Sequence, residues 1–269
     1  MFAMGCQSHK DYKSPPGYDI SRPVLIELPG ELNEISGIQY YPKDNSILAE
    51  CDGKGCIYKI SLSNLHKVTK WKFGKGKDYE DMVVLDNAFY MLHSKGEIVK
   101  VTFDETGNPK EESFSFADST ENEFEAEYYD SASGNIIILC KKCADEQAAV
   151  VPAYAFDPKT GNSHLWKSLS LDAVEKELDE NKKVKLKPSA MAIHPITREL
   201  YVVSSIDKAI VIADSSFNAR KIYHLNPKYF KQPEGIAFTP QGDMFISNEG
   251  ADIGNADILF FRYKNETKK

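Results

Sequence analysis

Three glutamates, Glu80, Glu125 and Glu234, lead three of the five copies of one repeated phrase, and their type and spacing are what could do chemistry here. In the clearest copy, residues 232–249, two short apolar runs (236–238 and 244–247) are joined by a turn holding Pro240 and Gly242, with Glu234 just ahead of the first run. That pattern predicts a β-hairpin introduced by an acid. The other copies start at Ser36, Glu80, Glu125 and Ser189, so the lead residues run Ser, Glu, Glu, Ser, Glu at intervals of 44, 45, 64 and 45 residues. A period of about 45 residues built only from strands predicts propeller blades.

In a propeller the first strand of each blade lines the central axis, so equivalent positions converge on the channel mouth. Glu80, Glu125 and Glu234 would meet there, beside Ser36 and Ser189, with Glu34, Asp81 and Glu127 near in sequence. Carboxylates at that range repel, and protonation, a basic partner or a cation must relieve them. Calcium, with about six to eight oxygen ligands in loose geometry, suits such a ring better than magnesium with its stricter octahedron. The three glutamates are therefore the expected metal ligands and calcium the expected cofactor. A water-filled channel with raised carboxyl pKa values, or a catalytic carboxylate pair, would use the same residues.

A second circle ends the second strands: Asp52, His93, Lys141, Ser205 and Glu249, with Asp207 close by. These mix donors and acceptors on one face. They read either as solvated loop residues or as a recognition rim for a small polar ligand or a protein segment. Ser36, Ser189, Asp52, His93, Lys141 and Glu249 are the expected ligand-binding residues. The chain has no Gly-x-Ser-x-Gly elbow, no phosphate loop and no His-Glu-x-x-His motif, and its six histidines show no metal-ligand spacing.

The elements that must position these residues follow from the same repeat. After the inner hairpin, each copy carries a third strand (56–60, 97–101, 151–156, 209–213 and 258–262). A fourth, more polar strand follows in four of them (68–73, 112–116, 164–169 and 221–225). The fifth copy stops after its third strand, so residues 24–28 are expected to complete the last blade and close the ring. The predicted fold is all-β: a five-bladed β-propeller closed by its N-terminal strand, with a sixth blade inside the 140–188 insertion as the alternative. Within that insertion, Ser170 as a capping residue and the apolar spacing after it predict a short surface helix over 170–178. Residues 1–23 form the tether and 24–269 the propeller domain.

Composition narrows the partners. The 269 residues carry a net charge of −7, with no basic block beyond 182–187, which argues against nucleic acid. No run of eighteen apolar residues exists, so no helical span is expected. A small residue before Cys6, after four apolar or small residues, resembles the end of a lipoprotein signal, although a signal needs about 7–15 apolar residues. Cys6 is the expected lipidation site and the only membrane contact. The expected protein is a monomeric lipoprotein of the cell envelope, facing the periplasm or the cell surface. Cys51, Cys56, Cys140 and Cys143 would form either a four-thiolate zinc site or local disulfides.

Taken together, the phrases Ile35-Ser36-Gly37-Ile38, Tyr79-Glu80-Asp81-Met82, Phe124-Glu125-Ala126-Glu127, Pro188-Ser189-Ala190-Met191 and Pro233-Glu234-Gly235-Ile236 resemble the SdiA-regulated family of bacterial envelope proteins, itself similar to NHL-repeat propellers. The resemblance runs over about residues 24–264. It implies a five-bladed propeller, a calcium ion in a shared site on Glu80, Glu125 and Glu234, anchored N-termini and no established reaction. The chain departs from the family pattern at Asp81 and Glu127, where small residues are commoner, and at Cys140-Lys141-Lys142-Cys143. Two functions follow as expectations. One is a calcium-binding, non-enzymatic envelope propeller that meets a ligand or protein at the channel mouth; the other is a metal-dependent hydrolase, lactonase-like or phytase-like.

Overall fold

Apolar runs punctuated by turn residues make every described element a strand except one 3-10 turn at Gly30–Leu32, and the strands group in fours. The computed structural model describes residues 12–116, 121–144, 147, 149–174, 186–250 and 254–265. Strand β1 (Val24–Glu27) comes first. Blade one is β2 (Ile35–Tyr41), β3 (Ser46–Cys51), β4 (Cys56–Ser61) and β5 (Val68–Lys72), and blade two is β6 (Tyr79–Leu85), β7 (Ala88–His93), β8 (Glu97–Phe103) and β9 (Pro109–Ser115). Blade three is β10 (Glu123–Asp130), β11 (Asn135–Lys142), β12 (Val150–Phe156) and β13 (Ser163–Ser170), and blade four is β14 (Ala190–Ile193), β15 (Leu200–Ser204), β16 (Ala209–Ala213) and β17 (Ala219–His224). Blade five takes β18 (Pro233–Phe238), β19 (Met244–Asn248) and β20 (Asp257–Phe261), and its fourth strand is β1.

The described residues thus form five four-stranded antiparallel sheets, a five-bladed propeller. The ring closes where the sequence places it: Leu25 lies opposite Leu259 and Glu27 opposite Asp257, so β1 pairs with β20. The core is divided among the blade interfaces. One cluster packs Tyr128, Leu139 and Val151 of blade three against Met191, Val202 and Val211 of blade four, and four further clusters fill the other interfaces. Because a neighbour covers each face of a blade, the middle strands are mostly buried, and both middle strands of blade four, β15 and β16, bury every residue. That is why β15 and β16 read as unbroken apolar runs rather than alternating ones.

Two expectations need adjustment. Ser170 ends β13 and its hydroxyl donates to Asp172 at 3.0 Å, followed by a turn at 172–174, so the described part of the expected helix is a strand end and a turn; the remainder lies outside the described residues. Tyr18 and Ile20, placed in the tether by the sequence, are buried against blades four and five. Tyr18 is pinned there because its hydroxyl donates to the Gly242 carbonyl at 2.5 Å and meets His194 Nε2 at 2.8 Å. His194 Nδ1 accepts the backbone N–H groups of Ile196 and Thr197, so its proton sits on Nε2 and is donated to Tyr18. Cys6 lies outside the described residues. Among the described residues no helix is long and apolar enough to cross a membrane.

Candidate functional site: an acidic channel mouth built on β-bulges

In four of the five blades the lead residue reaches the axis through a defect in the inner strand; in blade four the β14–β15 ladder is regular and Ser189 lies just ahead of it. Between β6 and β7, Tyr79 pairs with His93 and Asp81 with Leu92, which leaves Glu80 as the unpaired extra residue. Glu125 is skipped in the same way between Phe124 and Ala126, Glu234 between Pro233 and Gly235, and Ser36 with Gly37 between Ile35 and Ile38. A bulge re-aims the side chain of its extra residue. Here it turns each bulged lead residue into the channel while the flanking apolar residues keep facing the neighbouring blades.

The inner strands also come very close together. A Cβ on Gly37 would stand 2.6 Å from the Asp81 Cα, and one on Gly235 would stand 2.6 Å from the Ser36 carbonyl oxygen. Hydrogen bonds stitch the blades at this level. Ser247 Oγ donates to the Ser36 carbonyl at 2.9 Å, the Glu127 N–H to Asp81 Oδ2 at 2.9 Å, and the Val84 N–H to Gln39 Oε1 at 2.7 Å. Ser189, expected to meet a ligand, instead donates its hydroxyl to the Pro233 carbonyl of the next blade at 2.7 Å, and is buried.

The three glutamates are half-buried, and Glu125 acts on both of the others. Burial, then Glu125 and Asp78, push Glu80 up to about 9; burial, then Glu125, push Glu234 up to about 7. Burial also raises Glu125, against the pull of Lys141. Lys141 enters the ring from the end of β11, and its Nζ donates to Glu125 Oε1. Burial opposes the lysine's charge, but Glu125, then Glu234 and Glu80, outweigh it and keep its pKa above the ordinary value.

The other expected rim residues divide. Asp52 and Glu249 belong to the mouth: burial and acidic neighbours raise both, and each acts on the other or on the ring. Ser205 favours charge on Glu234. His93 stands to one side, half-buried beside Glu97 and Asp78, with Nδ1 accepting the Lys95 N–H at 3.2 Å. Asp207 serves its own loop, accepting from Ser204 Oγ at 2.6 Å and the Lys187 N–H at 3.1 Å.

Two mouth residues escaped the sequence reading. Asp78 acts on Glu80, Asp52 and Glu125, and accepts from Ser94 Oγ. Lys208 faces Glu234 and donates to the Lys231 carbonyl at 2.6 Å. A signal for Asp78 existed, since the position two before each lead residue is polar in every repeat: Glu34, Asp78, Glu123, Lys187 and Gln232.

Below the mouth lies a second acidic layer. Glu50, Asp81 and Glu127 are buried, and burial raises all three, Asp81 to about 8 and the others well above the carboxylate range. Asp81 accepts two backbone N–H groups, and Glu50 Oε1 accepts the Gly37 N–H at 3.0 Å. Glu50 Oε2 and both oxygens of Glu127 have no hydrogen-bond partner in the structure, and the Val83 N–H favours charge on Glu127 only from beyond bonding range. Burial without full hydrogen bonding favours the neutral form of such acids. Asp81 and Glu127 also border a cavity of about 260 Å³ at the opposite end of the channel, closed by Tyr40, Tyr129, Ile193 and Phe238.

Whether the ring suits calcium can be judged from its charges. Among the described residues no three His, Cys, Asp or Glu side chains stand together as a group able to hold a metal ion. Lys141 takes up Glu125, and among the described residues no lysine or arginine forms an ion pair with Glu80 or Glu234. Lys141 thus stands where a three-carboxylate site would need Glu125, and Glu80 and Glu234 are the ring carboxylates left outside an ion pair. For the cysteines, Cys140 and Cys143 form a disulfide and Cys51 and Cys56 are free and buried, so the four-thiolate zinc arrangement does not form.

Residues 19–251 match the family model described as SdiA-regulated. Comparison with curated proteins gives no match. Among solved structures the chain is similar to a luciferin-regenerating enzyme (14% identity, TM-score 0.56, covering 91% of this chain and 96% of that one). It is also similar to a gluconolactonase from Xanthomonas campestris (12%, 0.54, 90% and 79%) and a streptogramin B lyase (10%, 0.53, 90% and 98%). At these identities the likeness establishes the propeller fold alone.

Proposed function

The chain belongs to the SdiA-regulated family, and from that premise we propose that it is a non-enzymatic binding propeller of the cell envelope whose channel mouth takes up a calcium ion and, through it, a polar ligand or protein segment. The observation that carries this reading is the pair Glu80 and Glu234, half-buried acids at the mouth that form no ion pair among the described residues and whose pKa values are raised by burial and then by Glu125, against the partial pull of Lys141. When bound, calcium would supply positive charge and open coordination positions for oxygen ligands. Glu80 and Glu234 would hold it, Glu249 and Asp52 would add to the field from the rim, and Lys208 would anchor the wall behind Glu234.

Two further features support an envelope location. The Cys140–Cys143 disulfide suits an oxidising compartment, and Cys6 offers a lipidation site. In metal-stripped protein at pH 8, calcium should raise the melting temperature of the wild type and leave a Glu80→Gln/Glu234→Gln double variant unchanged. An equal rise in both would place the ion elsewhere, and calcium-dependent turnover of a lactone or phosphate ester would replace binding with hydrolysis.

A further inference from the structure

Near their outer strands, blades two and three are joined by one aromatic ring. The β12–β13 turn of blade three runs from Asp157 to Asn162 and is closed by the Asp157 N–H on the Asn162 carbonyl at 2.9 Å. Its Gly161 lies against Phe114 of blade two, so closely that a Cβ there would stand 2.4 Å from the ring. Phe114 also meets Phe156, the last residue of β12, with centroids 5.4 Å apart. Blade two repeats the turn between β8 and β9. Asp104 to Asn108 is closed by the Asp104 N–H on the Asn108 carbonyl at 3.0 Å, ends in the same Thr-Gly-Asn, and follows Phe103 as Asp157 follows Phe156. The counterpart of Phe114 in blade one is Trp71. Ile57 lies opposite Trp71 as Ile98 lies opposite Phe114, and the Phe73 N–H donates to the Gly55 carbonyl as the Phe116 N–H does to that of Gly96.

Trp71 does not close the interface as Phe114 does. A Cβ on Gly107 would meet nothing within 4 Å, and Phe103 meets Phe89 at 6.0 Å between centroids rather than Trp71. What remains is a cleft of about 290 Å³ between blades one and two, floored by the buried Leu48 and walled by the half-buried rings of Tyr41, Trp71, Phe89 and Phe103. Among the described residues Lys59 is the one charged side chain in the lining. Its Nζ lies 5.6 Å from the Trp71 ring centroid and 2.6 Å from Asp44 Oδ2. Lys43 Nζ stands 5.6 Å from the Tyr41 centroid and donates to the neutral Asn87 Oδ1 at 3.0 Å, so the rings carry two ammonium groups against one carboxylate.

We infer that this cleft is a binding site for a small planar aromatic acid, whose ring takes the place against Gly107 that Phe114 takes against Gly161 and whose carboxylate turns to Lys59 and Lys43. The repeat itself specifies the occupant, since the same turn in the next blade is completed by a flat ring. Four half-buried aromatic walls withdraw such a ring from water and offer it edge-to-face and offset contacts. The surplus ammonium group gives the sign of the substituent. The site lies between blades, away from the acidic mouth, and owes nothing to the calcium reading.

Titration of naphthalene-2-carboxylate into the full chain tests this, read by the indole N–H signals of its two tryptophans, which Trp166→Phe assigns. The Trp71 signal should shift saturably, while that of Trp166, packed on Phe217, should stay in place. The same ring with a positive charge, 2-naphthylmethylamine, should bind about tenfold more weakly than the acid, and Lys59→Gln should weaken the acid about threefold. No saturable shift of Trp71, or equal shifts of both tryptophans, overturns the site. Equal affinity for acid and amine overturns the anionic assignment, and octanoate binding as tightly as the naphthoate overturns the aromatic one. A Trp71 shift that follows protein concentration without added ligand would give the cleft to a second copy of the chain and overturn the proposal as well.

Discussion

Asp81 in blade two accepts the backbone N–H of Glu127 in blade three at 2.9 Å, and that one bond joins two blades at the level where the channel is most acidic. Asp81 also accepts the Met82 N–H at 2.8 Å. Asp81 is thus a staple between blades, its oxygens held by two N–H groups although burial penalises the charge.

The first prediction follows from that staple. Asp81→Ala leaves two buried N–H groups without acceptors and should cost about 1–3 kcal/mol of unfolding free energy. Asp81→Asn keeps one acceptor and removes the charge that bears on Glu127, so it should cost less than the alanine variant, and the cost of both should shrink above pH 8, where the ionised aspartate penalises the wild type itself. Denaturant unfolding at pH 6 and pH 9 checks both parts.

The close approach of the inner strands gives a second prediction. Gly37→Ala would place Cβ 2.4 Å from Asp81 Oδ1 and 2.6 Å from the Asp81 Cα, and the backbone contact cannot move aside without shifting β6. A loss of about 2–3 kcal/mol is expected by chemical denaturation, against well under about 1 kcal/mol for Gly30→Ala, at which a Cβ meets nothing within 4 Å and no positive φ opposes the change.

The N-terminal pin gives a third. Tyr18→Phe removes the bond to the Gly242 carbonyl and deprives His194 Nε2 of its acceptor, which should cost about 1–2 kcal/mol and increase proteolytic cleavage ahead of β1. An unchanged midpoint would show that residues 12–23 add nothing to the propeller's stability.

The pH dependence is set by groups of opposite sign. Burial holds His194 at about 4, below its unfolded value near 6.5, so the unfolded chain binds a proton that the folded chain refuses. Its contribution is therefore full above about pH 6.5 and falls by about 3 kcal/mol as pH drops to 4. The acids of the channel act in the other direction. Their folded pKa values are raised, so the stability they permit is full below about pH 4. It is lost as pH rises through about 7 for Glu234, 8 for Asp81 and 9 for Glu80. Since several acids oppose one histidine, metal-free protein should melt at a higher temperature at pH 5 than at pH 8.5. A melting temperature that rises over that interval would mean the acids are already compensated.

Most of the scaffold could be read from the chain before any coordinates. Turn pairs such as Asp86-Asn87, both with positive φ, mark hairpin ends, and the interval between lead residues counts the blades. The missing fourth strand of the last repeat called for residues 24–28, and β1 is there. What could not be read is the bulge. A bulge is a property of two strands in register, and nothing in Phe124-Glu125-Ala126 alone states that Glu125 will be skipped. The same holds for Lys141, whose partner becomes visible only when both strands of the ladder slip by one residue. Ser189 misled for a related reason: its position in the repeat is right, but its hydroxyl is consumed by the neighbouring blade, whose distance the sequence does not carry.

The account as a whole depends on the mouth being a cation site, and calorimetric titration of calcium into the metal-stripped full chain reads that directly. It predicts one ion per chain for the wild type and loss of binding in the Glu80→Gln/Glu234→Gln variant. No binding by the wild type, or undiminished binding by the double variant, would contradict it.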